Sequence, residues 1–116
     1  MADRLKALSK EVARFARARD WEQFHTPKNL AMALSVEAAE LTEIFQWLTA
    51  EQSARLPAEQ REHLEEELAD VFIYLLKIAR HYRIDLIDAA HEKLAKNAKK
   101  YPVAKAKGSM KKYTEL

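Results

Sequence analysis

Four carboxylates recur at one spacing in two places: Glu37 and Glu40, then Glu67 and Asp70. Residues three apart on a helix project from neighbouring points of one face. Glu37 takes a place in the apolar stripe Leu30, Leu34, Leu41, Ile44, Leu48 that a Leu, Ile or Ala would fill. Asp70 directly precedes Val71-Phe-Ile-Tyr-Leu-Leu76, an apolar run with no charge. A carboxylate is rarely buried without a partner, because stripping its water is costly. Two such helices packed side by side bring four like charges together, and these repel unless protonated or neutralised by cations. An all-oxygen set suits a hard cation, Mg²⁺ or Mn²⁺, and Mg²⁺ keeps coordination positions for water and phosphates. The chemistry expected of such a cluster is metal-assisted chemistry on a phosphate. The plainer alternative is a solvated helix face, since Glu43, Glu65 and Glu66 need no such role.

Other residue types could serve the same chemistry. Trp21 and His25 fall in a polar loop. Trp47 lies seven residues after Glu40, and Tyr74 four after Asp70. Flat rings near the carboxylates can stack a base, or simply fill a core. Lys93, Asn97 and Lys100 share a face at helical spacing, suited either to a triphosphate tail or to solvent. From Lys93 to Lys112 there are eight lysines and no carboxylate, a block that can meet a polyanion or remain a solvated tail.

Helices must position these groups. Of 116 residues one is Gly and three are Pro, while Ala, Leu, Glu, Lys and Arg dominate, all good helix formers. Periodicity predicts helices over about Asp3–Arg19, Asn29–Leu48, Ala58–Tyr82 and from an Asp85 N-cap to Pro102. The stretch from Asp20 to Asn29 reads as an ordered loop, and Thr49–Pro57 as a connection. The expectation is an all-α four-helix bundle, with a domain over 1–102 and a Lys-rich, loosely ordered tail over 103–116. The all-round apolar run of the third helix implies a subunit interface.

Composition narrows the class further. Hydrophobic residues make up 48% and charged residues 33%, at a net charge of +2, as in a globular domain. The absence of Cys excludes disulfides and thiolate metal sites. That makes a cytoplasmic protein the expectation; the start, Met-Ala-Asp-Arg, carries no apolar run of the kind a signal peptide has, and Val71–Leu76 is too short to span a bilayer.

Together these residues resemble the MazG-like, all-alpha nucleotide pyrophosphohydrolase superfamily, whose signature reads here Glu37-Ala-Ala-Glu40, a spacer of 26 residues, then Glu67-Leu-Ala-Asp70. The flanks are similar to its dCTP pyrophosphatase branch: Arg19-Asp-Trp-Glu-Gln-Phe-His-Thr-Pro-Lys-Asn-Leu30, Glu40-Leu-Thr-Glu-Ile-Phe-Gln-Trp47, Glu66-Glu-Leu-Ala-Asp-Val-Phe-Ile-Tyr-Leu75 and Asn97-Ala-Lys-Lys-Tyr-Pro102. The resemblance implies Mg²⁺-dependent hydrolysis of a (deoxy)nucleoside triphosphate, dCTP or a modified dCTP, to monophosphate and pyrophosphate in nucleotide-pool sanitation. It implies Glu37, Glu40, Glu67 and Asp70 as metal ligands, one glutamate also activating the water. Trp21, His25, Trp47 and Tyr74 would contact base and sugar, and Lys93, Asn97 and Lys100 the phosphates. It also implies a homodimer or homotetramer.

Two rivals remain. A ferritin-like di-iron bundle needs Glu-x-x-His on core helices; the candidates, Glu22 with His25 and Asp88 with His91, fall in a loop and near a helix start. A non-enzymatic helical module could bind partners or nucleic acid through the Lys-rich end, but inward-facing carboxylates would serve it nothing.

Overall fold

The computed structural model describes residues 2–116. The expected periodicities become α1 (Ala2–Ala18), α2 (Pro27–Phe45), α4 (Ala58–His81) and α5 (Leu86–Lys100). Two short helices, α3 (Ala50–Ser53) and α6 (Val103–Ala106), and 3₁₀ turns at Glu22–Phe24 and Tyr113–Glu115 complete the described residues, among which there is no strand. The all-α class expected from the sequence is therefore observed.

Side-chain caps set the helix boundaries. Thr26 Oγ1 accepts from the Asn29 amide at 3.2 Å, with Pro27 in the first turn, so α2 starts ahead of Asn29. Pro is welcome there because its missing N–H would be unpaired in any case. At the other end α2 stops at Phe45 rather than Leu48. Thr49 and Gln52 form a reciprocal capping box, at 3.1 and 3.0 Å, that opens α3 instead. Asp85 caps α5 by accepting from the Asp88 amide at 3.1 Å, as its spacing predicted.

The chain divides into two compact units, one ending at Arg83 and the other running from Ile84 to Leu116. In the first unit α2 lies along α4 in the most extensive helix pairing, and α1 also packs on α4. The buried apolar residues are Ala13 and Ala16 of α1, Leu30 of α2, and Leu76 and Ala79 of α4. Alanine at these points lets helix backbones approach closely, but it buries little surface. Around this thin core the apolar run of α4 is only partly covered: Leu68, Phe72 and Leu75, one stripe by their spacing, are 48%, 40% and 39% exposed.

The second unit carries more regular structure after Pro102 than its sequence suggests. Beyond α6, Gly108 takes a positive φ of 74°, a conformation glycine adopts without strain. The Tyr113 ring then meets Tyr101 edge-on at 6.0 Å, and the Lys100 ammonium sits 4.8 Å from its centroid. A ring pair and a cation–π contact hold the end of the chain.

Because so few side chains are buried, each carries weight. Leu76→Ala is expected to lower the unfolding free energy by about 2–5 kcal/mol, whereas Leu94→Ala, at a position 64% exposed, should stay within about 0.5 kcal/mol of the parent. Urea denaturation followed by circular dichroism checks both.

Candidate metal and nucleotide site

The α2–α4 seam brings Glu37, Glu67 and Asp70 together: one carboxylate oxygen of each lies within 4.8 Å of the other two. Glu40 stands next to Glu37, in contact with its carboxyl, outside that three-way convergence. Glu67 is buried and Glu37 half-buried. Glu67 Oε1 lies 3.4 Å from His63 Nε2, one turn away on α4. Glu67 Oε2 and Glu37 Oε2 are enclosed without a hydrogen-bond partner among the described residues.

Burial, then the adjoining Glu40, Asp70 and Glu67 carboxyls, pushes the Glu37 carboxyl up from 4.5 to about 7. The same crowding reaches Tyr74, whose hydroxyl is raised first by burial and then by the charges of Glu37 and Asp70. Enclosed, unpartnered carboxylate oxygens facing like charges are what a bound cation would relieve. The all-oxygen donor set fits a hard ion, so these residues can hold a metal.

A cavity of about 480 Å³ opens on this cluster, with Glu37, Asp70, Trp21, Tyr74, His25 and Lys77 among its lining residues. The loop after α1 aims the rings. Asp20 takes a left-handed φ of 55°, and the Trp21 amide donates back to Ala16 O at 2.9 Å, turning the chain sharply. Gln23 Nε2 donates to both the carbonyl and the carboxylate of Asp20 at 3.0 Å, and Asn29 Nδ2 to Phe24 O at 2.9 Å, which ties the loop to itself. Trp21 then packs edge-on against Phe15 at 5.8 Å and His25 at 6.4 Å.

The expected site residues divide accordingly. Glu37, Asp70, Trp21, His25 and Tyr74 share the cavity, and Glu67 joins the carboxylates. Trp47 does not line it: α2 has ended before this residue, whose side chain is 87% exposed. Lys93, Asn97 and Lys100 lie on α5 in the second unit. Lys77 was missed, although Asp70, Tyr74 and Lys77 fall at i, i+4 and i+7 on α4, a signal legible in the sequence.

The MazG-like family matches this sequence over residues 32–116. The chain belongs to the MazG-like family. It is 47% identical over 106 residues to dCTP pyrophosphatase 1 of Homo sapiens, covering 90% of this chain and 62% of that protein. It is 45% identical to dCTP pyrophosphatase 1 of Mus musculus with the same coverage of both. The chain thus spans about 62% of the length of these relatives. Among solved structures it is similar to a pyrophosphatase from Archaeoglobus fulgidus, at 40% identity and a TM-score of 0.81, covering 85% of this chain and 93% of that one. The family match reaches Leu116, so the segment after Pro102 lies inside the MazG-like region.

The raised Glu37 carboxyl has a measurable consequence. The folded state holds this proton more tightly than the unfolded chain does. Its contribution to stability is therefore full below about pH 4.5 and is lost as pH rises through about 7. In EDTA the melting temperature should fall between these limits. Glu37→Gln should flatten the fall, and a divalent cation should offset it, because binding needs the ionised carboxylates. Thermal melts across pH, with and without metal, check this.

Proposed function

We propose that this MazG-like protein hydrolyses a (deoxy)nucleoside triphosphate, dCTP or a modified dCTP, to the monophosphate and pyrophosphate. The observation that carries the reading is the convergence of Glu37, Glu67 and Asp70 beside a ring-lined cavity large enough for a nucleotide. The printed names of its relatives, dCTP pyrophosphatase 1 and a pyrophosphatase, support the same chemistry. Glu37, Glu67 and Asp70 would hold Mg²⁺, with Mn²⁺ an alternative, and Glu40 beside Glu37 completes the set. When bound, the ion supplies charge neutralisation for the phosphates and a lowered pKa for water.

The chain's own residues do the rest. Trp21 and Tyr74 flank the base and sugar, and the apolar side of the cavity excludes water from them. Water attacks phosphorus as the bond to the departing pyrophosphate breaks, and its proton passes to a glutamate of the cluster. Lys93, Asn97 and Lys100 of α5 are proposed as phosphate contacts on residue type alone. The proposed work is nucleotide-pool sanitation in the cytoplasm; no described helix is long and apolar enough to cross a membrane.

The test is a panel of dNTPs and NTPs with Mg²⁺, Mn²⁺ or EDTA, read as monophosphate and pyrophosphate. Turnover is expected to vanish in EDTA and to fall at least about a hundredfold in Glu67→Gln and Asp70→Asn proteins that remain folded. No metal-dependent pyrophosphate release from any nucleotide would sink the reading. It would favour a binding module acting through the Lys-rich end.

The partly bare stripe of Leu68, Phe72 and Leu75 supports assembly as a homodimer or homotetramer. Sedimentation should find one of these species for the parent chain, and Phe72→Glu should shift it toward monomer.

A further inference from the structure

Lys77 has surroundings that the hydrolytic reading leaves unexplained. It is half-buried on α4, and among the described residues no carboxylate lies within ion-pair distance of it. Among the described residues its polar contact is His25, with Nζ 3.3 Å from Nδ1. An ammonium has only donors to offer, so His25 Nδ1 accepts and the ring proton sits on Nε2. Burial and the neighbouring ammonium both favour this neutral ring, against the weaker opposing pull of Glu22. The two side chains therefore offer donors and no acceptor of their own to a cavity they share with Trp21, Tyr74, Glu11 and the carboxylates Glu37 and Asp70.

Position says what those donors meet. Lys77 lies seven residues beyond Asp70, about 10 Å along the helix axis. A nucleotide with its phosphates at the carboxylates has its base, not its phosphates, at that remove. The rings beside Lys77 grip a base by its faces, which every base has, and so cannot choose among bases. Choice needs hydrogen bonds at an edge. On their pairing edges uracil and thymine put an N–H between two carbonyls, guanine puts two donors beside one, and adenine has one ring acceptor next to an amine. Cytosine alone has two adjacent acceptors there, N3 and O2.

We propose that Lys77, held in place by His25, is the specificity-determining residue of this site, donating to the N3 and O2 edge of a cytosine base. This rests on the hydrolytic reading of the cavity. It adds how one base is selected: the donors of the Lys77–His25 pair match the two acceptors of cytosine and oppose the N–H of uracil or thymine.

The test compares kcat/KM for dCTP, dTTP, dUTP and dGTP in the parent, Lys77→Met and His25→Phe. Lys77→Met keeps the length of the side chain and removes its donors. The dCTP-to-dTTP ratio is expected to fall at least about tenfold in Lys77→Met, and by less in His25→Phe, where the ammonium remains without its anchor. Calorimetric binding of dCMP should weaken in parallel, while binding of inorganic pyrophosphate with Mg²⁺ should not. An unchanged ratio would overturn the assignment, as would an equal loss for all four nucleotides or a loss confined to dGTP, which offers N7 and O6 on its other edge. Weakened pyrophosphate binding would instead make Lys77 a phosphate contact. If the parent itself turns over no nucleotide, the hydrolytic reading has failed. The dCMP measurement then still decides whether Lys77 reads a base.

Discussion

Four carboxylates on two helices that must lie against each other set the terms for the rest of this protein. The α2–α4 seam is the main packing contact of the first unit, and it cannot form without drawing Glu37, Glu67 and Asp70 into mutual range. Partial burial removes water that would screen these charges, and proximity adds repulsion. The raised Glu37 carboxyl and the enclosed oxygens of Glu37 and Glu67 are two expressions of that conflict. A fold selected for stability alone would place Leu or Ala at position 37. Keeping a glutamate there makes sense when a cation completes the seam, because attraction to the ion replaces repulsion between the ligands.

The loop after α1 turns a charged seam into a site with two ends. Asp20 reverses the chain in a left-handed conformation, Gln23 and Asn29 fix its interior, and Trp21 and His25 come to stand over α4. Phe15, Val12 and Ile73 give the cavity apolar lining, while Glu37 and Asp70 bring it negative charge. Such a contrast suits a ligand that is flat and apolar at one end and polyanionic at the other, provided cations bridge the anionic end.

How much of this was legible follows from which physical rule governs each residue. The carboxylates were legible because a charge inside an apolar period is expensive and needs a cause. The Asp85 cap of α5 and the start of α4 directly after Pro57 were legible from local chemistry. Periodicity carries the second helix to Leu48, but α2 ends at Phe45, ahead of the Thr49 and Gln52 capping box, and the Trp47 indole lies exposed outside the cavity. Lys77 was overlooked because a lysine after an apolar run reads as surface. Only the return of the loop, which brings His25 to it across 52 residues of sequence, makes it part of a wall. Long-range juxtapositions of that kind are invisible to any local pattern. The run of lysines beyond Lys93 could suit phosphate or solvent, and the contacts of Lys100 with Tyr113 show one of them engaged inside its own unit.

α4 carries two obligations at once. One side presents Glu67 and Asp70 to the seam with α2; the stripe of Leu68, Phe72 and Leu75 remains partly bare. The enclosed apolar set of the first unit is mostly alanine, so this unit draws little stability from its own interior. A second copy covering the bare stripe would stiffen the same helix whose other side must hold like charges in register. Whatever fixes α4 from one side lowers the ordering cost on the other, so cover on the stripe and a cation at the carboxylates would each strengthen the binding of the other by the same factor. On this argument the glutamate at position 37 and the exposed phenylalanine at position 72 answer one problem: a thin-cored helix that must keep its charges close.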